Sequence, residues 1–306
     1  MSGRYAPSPT GDLHVGNLRT AMVAWLFARR TGRAFLMRME DLDDTARREL
    51  GGQQLRDLEA LGIDWDGPIV YQSDRLDHYN HHIDALIDTG LTYRCYCSRR
   101  EIREAASAPH GDPMPDGAYP GTCRNLAEAE CRRREADGRA PALRLHAQVD
   151  AVDFVDGLAG SSRAMVDDFV IRRRDGVPAY NLAVVVDDAD MGVDQVVRGD
   201  DLLPSTPRHL HLADLLGVDR PEYAHVPLVH NDAGERLAKR DGAVTLTELA
   251  AIGHPPSAVR AWLAHSLGLA AATEPVSMAD LLDRFDPQQL PSEPWVFTRP
   301  PDRFEP

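Results

Sequence analysis

The first forty residues constrain the fold more than any other part of the chain. Residues 3–6 predict a short strand, which Pro7, Pro9 and Gly11 then break. From 17 to 30, Leu18, Met22, Trp25 and Leu26 recur at a spacing that puts them on one helical face, and Gly32 supplies the stop. Residues 34–39 (Ala-Phe-Leu-Met-Arg-Met) then read as a buried strand. A β-loop-α-β order is the beginning of a doubly wound parallel α/β sheet.

Further helices are expected at 52–61 and 77–91. From 93 to 175 the character changes: cysteines appear, 109–121 is rich in Pro and Gly, and 126–137 is a charged helix candidate. This stretch reads as an insertion between two halves of the α/β domain. The α/β pattern returns with Tyr180 to Asp188, continues through a strand candidate at 195–197, and reaches a helix at 206–216. Helices near 246–252 and 257–267 precede a Pro-rich tail. The expected organisation is therefore 1–92 and 176–240 as the two halves of the sheet domain, 93–175 as the insertion, and 241–306 as a helical end.

Composition narrows the function. Lys and Arg number 34 against 48 Asp and Glu, a net charge of −14, so bulk attraction to a polyanion is excluded. A nucleic-acid partner would have to use a local basic run: Arg99-Arg100, Arg132-Arg133-Arg134 or Arg172-Arg173-Arg174. The opening residues lack the apolar stretch of a secretory signal, and the longest apolar run, 21–28, is too short to span a bilayer. Three of the four cysteines fall in one short region, which suits a metal site in a reducing compartment better than a disulfide framework. A cytoplasmic location without membrane attachment is expected.

Three constellations could carry chemistry. The segment 6–17 places a helix N-terminus directly after a strand, where free backbone N–H groups and the positive dipole end suit phosphate. Gly11 and Gly16 allow close approach, and His14 can donate a hydrogen bond to a phosphoryl oxygen. Some 220 residues on, by sequence number, Arg236-Leu237-Ala238-Lys239-Arg240-Asp241-Gly242 is a basic loop in which Lys239 can act as a mobile point charge. Alone, each segment is as consistent with an ordinary turn. Cys95, Cys97 and Cys123 can supply three thiolates to a tetrahedral metal, with Tyr119, His110 or Cys131 as the fourth donor.

Together the two loops resemble the paired signatures of class I aminoacyl-tRNA synthetases: Pro7-x-Pro9-x-Gly11-x-Leu13-His14-x-Gly16, and the Lys239 loop. Arg4 to Gly11, Arg38-Met39-Glu40-Asp41-Leu42-Asp43 and Tyr180 to Asp188 look like the glutamate-specific branch, and the likeness covers nearly the whole chain. The little chain left after Lys239 and the pattern Cys95-x-Cys97 … Tyr119-Pro-Gly-Thr-Cys123 look most like the short paralogues of glutamyl-tRNA synthetase, the glutamyl-queuosine tRNA(Asp) synthetases.

The resemblance implies a Rossmann-like doubly wound parallel sheet, a zinc-bearing α+β insertion and a short helical C-terminal region without an anticodon-binding domain. It implies one structural Zn2+ on Cys95, Cys97, Tyr119 and Cys123. Glutamate contacts are implied at Arg4, Ala6, Ser8, Glu40, Tyr180 and Arg198. ATP, accompanied by Mg2+, is implied to meet His14, Gly16, Asn17 and Lys239, with His14, Asn17 and Lys239 catalytic. An acidic amino acid needs an arginine fork and an acidic partner, which Arg4, Arg198 and Glu40 can provide near predicted strand ends, with Tyr180 adding a hydroxyl.

The implied reaction is tRNA-independent formation of glutamyl-adenylate, then transfer of glutamate to the queuosine base of tRNA(Asp), by a monomer. Two rivals are a shortened glutamyl-tRNA synthetase charging the 3′ end of tRNA(Glu), and a non-catalytic zinc-bearing RNA-binding module. Ala238 in place of the signature serine, Arg236 in place of its first lysine, and Asn17 in place of a second histidine depart from the family pattern.

Overall fold

A computed structural model describes residues 1–106, 118–237, 241–242, 244–298 and 300–301. His110, Ala238 and Lys239 lie outside the described residues.

The opening folds as a strand, β1 (Ser2–Tyr5), a helix, α1 (Val15–Arg30), and a strand, β2 (Ala34–Met39). Helix α2 (Arg48–Ala60), strand β3 (Val70–Tyr71) and helix α3 (Leu76–Asp88) follow. Next come β4 (Thr92–Cys95), α4 (Arg99–Ala106), α5 (Glu128–Ala136), β5 (Ala142–Leu145), the hairpin β6 (Ala151–Asp156) and β7 (Gly160–Met165), and β8 (Val170–Arg172). The chain continues through α6 (Tyr180–Asp190), β9 (Val193–Gly199), α7 (Thr206–Leu216), β10 (Glu222–Val226) and β11 (Val229–His230). Helices α8 (Leu246–Ala251), α9 (Pro256–Ser266) and α10 (Met278–Arg284) and strand β12 (Trp295–Val296) complete it.

The main sheet has the order β3-β2-β1-β9-β10-β6-β7, with every pair parallel except the β6–β7 hairpin. Strand alternation divides its side chains between two cores. Phe35, Met37 and Val197 face α1 and the C-terminal helices, whereas Leu36 and Val196 face the core built on α3, α6 and α7. Buried β-strands flanked on both faces by helices are what the apolar run of β2 predicts. From β1 the chain winds to β3 on one side and later to β10 on the other, so the order reverses between β1 and β9. In open sheets of this kind, ligands bind at the carboxyl ends beside that reversal.

The expected insertion over 93–175 is divided. Strands β4, β5 and β8 form a separate three-stranded antiparallel sheet, whereas β6 and β7 extend the main sheet through β10. Tyr223 of β10 pairs with Asp156, and an otherwise open sheet edge is thereby covered by a hairpin. The motif beginning at Tyr180 opens helix α6: its apolar run Leu182 to Val186 is buried by helix packing, a case that periodicity alone does not separate from a strand.

Gly3 of β1 passes beneath α1 so closely that a Cβ there would meet Ala28 Cβ at 2.9 Å. Gly3→Ala is therefore expected to destabilise the fold by about 1–3 kcal/mol, read as a lower urea midpoint; an unchanged midpoint would show that the helix can lift without cost.

Candidate active site

One cleft of about 480 Å³ opens at the carboxyl ends of β1, β2 and β9. Arg4, Ala6, Ser8, His14, Gly16, Asn17, Glu40, Tyr180 and Arg198 all line it, as does Arg236. Residues separated by almost 200 positions meet there because parallel strands deliver their ends to the same edge of the sheet.

The helix start is built differently from the sequence expectation. His14 is the N-cap of α1, and its Nδ1 accepts hydrogen bonds from the backbone N–H of Gly16 (3.0 Å) and Asn17 (3.4 Å). Val15 N–H donates to Val244 O at 2.8 Å, and Leu18 N–H to His14 O at 3.1 Å. The first-turn donors are thus engaged within the protein and are not the free phosphate-binding groups expected. The reason is local: a histidine at the N-cap can fold its ring back over the first turn only beside a residue without a side chain. A Cβ on Gly16 would lie 2.9 Å from His14 Cε1. An accepting Nδ1 leaves the ring proton on Nε2, so His14 can donate only from that nitrogen.

Arg4, only 5% exposed, reaches Asp188 Oδ1 (3.5 Å) and Val197 O (3.3 Å). Behind it lies Arg38, fully buried, which donates to Asp188 Oδ1 at 2.7 Å and Glu40 Oε1 at 3.1 Å and lies 3.5 Å from Asp187. Asp187 also accepts from Gln72 Nε2, Arg75 Nε and Tyr79 Oη. Burial pushes Asp188 upward, but Arg38 and Arg4 outweigh it and hold the carboxyl below its usual range. For Glu40 burial prevails over Arg38 and Arg4, and its pKa is raised. Arg38, Asp187 and Asp188 lie within the sequence motifs named above, but no role is expected for them there. An arginine inside an apolar strand and paired aspartates inside an apolar helix were the available signal.

Arg198 donates to His225 Nε2, Tyr180 Oη, His209 Nδ1, Leu202 O and Thr206 Oγ1 at 2.9–3.3 Å. Burial, followed by the charge of Arg198, holds His209 well below its ordinary pKa, and burial lowers His225. Gln54, buried, donates to Ser8 O (3.0 Å) and Gly11 O (2.7 Å) and so shapes the opening loop; nothing in its sequence context marked it.

The chain on either side of 238–240 is tied down at this cleft. Leu237 N–H donates to Val229 O (2.9 Å), Arg236 bridges to His230 and pairs with Asp201 at 2.6 Å, and Val244 O accepts from Val15.

A second centre lies in the smaller sheet. The sulfurs of Cys95, Cys97 and Cys123 all lie within 4.8 Å of one another, with Cys97 and Cys123 3.4 Å apart. That is far beyond a disulfide bond and close to the ~3.8 Å edge of a tetrahedron with Zn–S bonds of about 2.3 Å. Tyr119 Oη is 3.4 Å from Cys95 Sγ and 3.8 Å from Cys97 Sγ, accepts from Cys123 N–H at 2.8 Å, and its ring carries the Arg144 guanidinium 3.6 Å from the centroid. Cys131 packs in the same cluster but is not one of these three sulfurs. A hydrogen bond from Cys95 pulls the Cys123 thiol down to about 6. The donor set, soft thiolates plus one oxygen, fits Zn2+.

The arginine runs are largely self-neutralised. Arg132 pairs with Glu128, Arg133 and Arg134 with Glu130, and Arg100 with Glu104. Among the described residues no helix is long and apolar enough to cross a membrane.

Because His209 and His225 are buried with lowered pKa values, the unfolded chain takes up protons near pH 6.5 that the native state refuses. Stability is complete above that pH and falls below it, by up to about 1.4 kcal/mol per pH unit for each histidine. Urea unfolding at pH 7.5 and 5.5 should show this decline, and His209→Gln should remove one proton's share; an unaltered slope would mean that His209 is protonated in the native state.

The family of class I tRNA synthetases (E and Q), catalytic domain, matches residues 1–300. The chain is 60% identical over 297 residues to the glutamyl-Q tRNA(Asp) synthetase of Nocardia farcinica, covering 97% of this chain and 93% of that one. It is 47% identical to the protein of the same name from Symbiobacterium thermophilum, covering 96% and 95%. A crystal structure of a glutamate tRNA ligase from Elizabethkingia meningosepticum with its amino acid superposes with a TM-score of 0.80 at 28% identity, over 96% of this chain and 66% of that one. The chain therefore belongs to the class I tRNA synthetases (E and Q) and, within them, to the glutamyl-Q tRNA(Asp) synthetase family of ligases.

Proposed function

We propose that the protein activates L-glutamate with ATP, without tRNA, and transfers it to the queuosine base of tRNA(Asp). One observation carries the reading: a guanidinium pair (Arg4, Arg198), a half-buried carboxylate (Glu40) and the His14 helix start share a single cleft. Arg4 and Arg198 suit the carboxylates of glutamate, and Glu40 suits its ammonium. Tyr180 Oη, Ser8 and the backbone at Ala6 complete the glutamate subsite.

In the first step a glutamate α-carboxylate oxygen attacks the α-phosphorus of ATP; the new P–O bond forms as the bond to pyrophosphate breaks. No protein nucleophile is required, so catalysis is positioning and charge stabilisation. The Nε2–H of His14, with Asn17 and Gly16 beside it, serves the phosphates. Lys239 neutralises the leaving pyrophosphate, and Mg2+ accompanies ATP. Cys95, Cys97, Cys123 and the Tyr119 phenolate would hold one Zn2+, whose contribution would be structural, fastening the strand end at β4 to the turn before α5. The self-paired arginines of α4 and α5 leave less free charge for tRNA than their number suggests. The protein acts as a cytoplasmic monomer.

ATP–pyrophosphate exchange is expected with glutamate alone, and labelled glutamate should pass to queuosine-containing but not unmodified tRNA(Asp). Exchange that requires tRNA(Glu) would favour a 3′-end glutamyl-tRNA synthetase, and no ATP binding by calorimetry would leave only an RNA-binding module. Lys239→Ala should lower exchange about 10²–10³-fold with an unchanged unfolding midpoint; equal loss of stability would refute a catalytic role.

For the metal centre, Cys123→Ser should reduce zinc per protein, measured by atomic emission, while part of the exchange activity survives. Unaltered stoichiometry would exclude this ligand set.

A further inference from the structure

All five N–H groups of Arg198 are spent inside the protein, and two of their acceptors are imidazole nitrogens: His225 Nε2 at 3.0 Å and His209 Nδ1 at 3.2 Å. A ring nitrogen accepts only when it carries no proton. Each ring has a partner that takes its other nitrogen's proton. His225 Nδ1 lies 2.5 Å from Asp156 Oδ2, with both side chains fully buried, and His209 Nε2 lies 3.0 Å from Asn181 Oδ1. Thr206 Oγ1 closes the arrangement: it accepts from Arg198 Nη2 at 2.9 Å and stands 3.2 Å from His225 Nε2.

We infer that Asp156–His225 and Asn181–His209 are two positioning relays that fix the tautomers of both rings, so that each turns a lone pair to Arg198 and holds its guanidinium in the wall of the cleft. The longest of the five bonds, 3.3 Å to Tyr180 Oη, is made to a side chain that is 39% exposed, so this donor is the one a substrate carboxylate can claim. The other four keep the fork in place while it does so. Burial favours the neutral rings, and for His209 the adjacent Arg198 charge adds to it. The inference rests on the glutamate subsite proposed above. It assigns to Asp156, His225, His209 and Asn181 a positioning role in amino-acid affinity, not contact with substrate.

Asp156→Asn tests the tautomer directly. Asp156 Oδ1 accepts from the backbone N–H of His225, Leu158 and Ala159 at 2.9–3.1 Å, and an asparagine oxygen keeps those bonds. Its amide would then donate to His225 Nδ1, moving the ring proton to Nε2 and setting one N–H against another at Arg198. The precedent is the asparagine variant of the serine-protease triad, which keeps its geometry in the wrong tautomer. His225→Gln, by contrast, can offer an amide oxygen near Nε2 without help from Asp156.

The readout is pyrophosphate exchange with glutamate and ATP varied separately, alongside the unfolding midpoint. Asp156→Asn should raise KM for glutamate by about tenfold or more, with KM for ATP nearly unchanged and the midpoint lowered but the protein still folded under assay conditions. His225→Gln should keep KM for glutamate within about threefold, and adding Asp156→Asn to it should raise KM no further. A full additional effect in that background, or an equal rise in KM for ATP, would overturn the inference. Should His225→Gln fail to fold, Asn181→Ala tests the second relay by the same KM split, and no rise in KM for glutamate would overturn it. Arg198→Ala separates the two readings: an unchanged KM for glutamate removes the subsite itself, whereas a raised KM beside an inert Asp156→Asn removes only the relays.

Discussion

The buried guanidinium of Arg38 is the interaction on which the site depends. It stands on β2 with no exposure and touches Glu40 on its own strand's exit and both aspartates of α6. Such an array is costly to desolvate and stays in place only while every partner is present; removing one leaves an uncompensated charge worth about 3–5 kcal/mol. Its effect is therefore geometric. Asp188, held by Arg38, holds Arg4, and Glu40 is set opposite. The sheet, the helix behind it and the polar wall of the cleft are locked to one another by the same few charges.

The helix start shows a comparable economy. Sequence reasoning treats a strand-loop-helix junction as a row of open donors. Here the row is closed by the His14 ring and by Val244 from the C-terminal part of the chain. The junction consequently presents an oriented imidazole rather than bare backbone, and the segment that follows the basic loop is stitched to the same point. An anchor at Val15 and another at Val229 bring the His14 turn, Leu237 and Val244 to one mouth.

Much of this was legible beforehand. Strand β2 and helix α7 have the bounds that periodicity and breakers predict, because each lies between strong stops. The nine described residues expected at the site line one cleft, since parallel strand ends must converge. Other features had no local signal. That Tyr180 opens a helix is hidden because a fully buried run such as Leu182 to Val186 lacks periodicity. Helix α10 was hidden in the Pro-rich tail and is fixed by a Ser277 capping box and by packing on α1. The partners of Arg198 come from four separate elements, and only tertiary structure assembles them.

The interleaving of the two sheets carries a consequence for anyone recombining this enzyme with its longer relatives. The chain enters the small sheet through β4 and β5, leaves it for β6 and β7, and returns for β8. Exchanging 93–175 as a cassette would import a foreign Asp156 strand along with the cysteine module and detach the edge of the parent sheet. Seamless grafts need two junctions more, on either side of that hairpin.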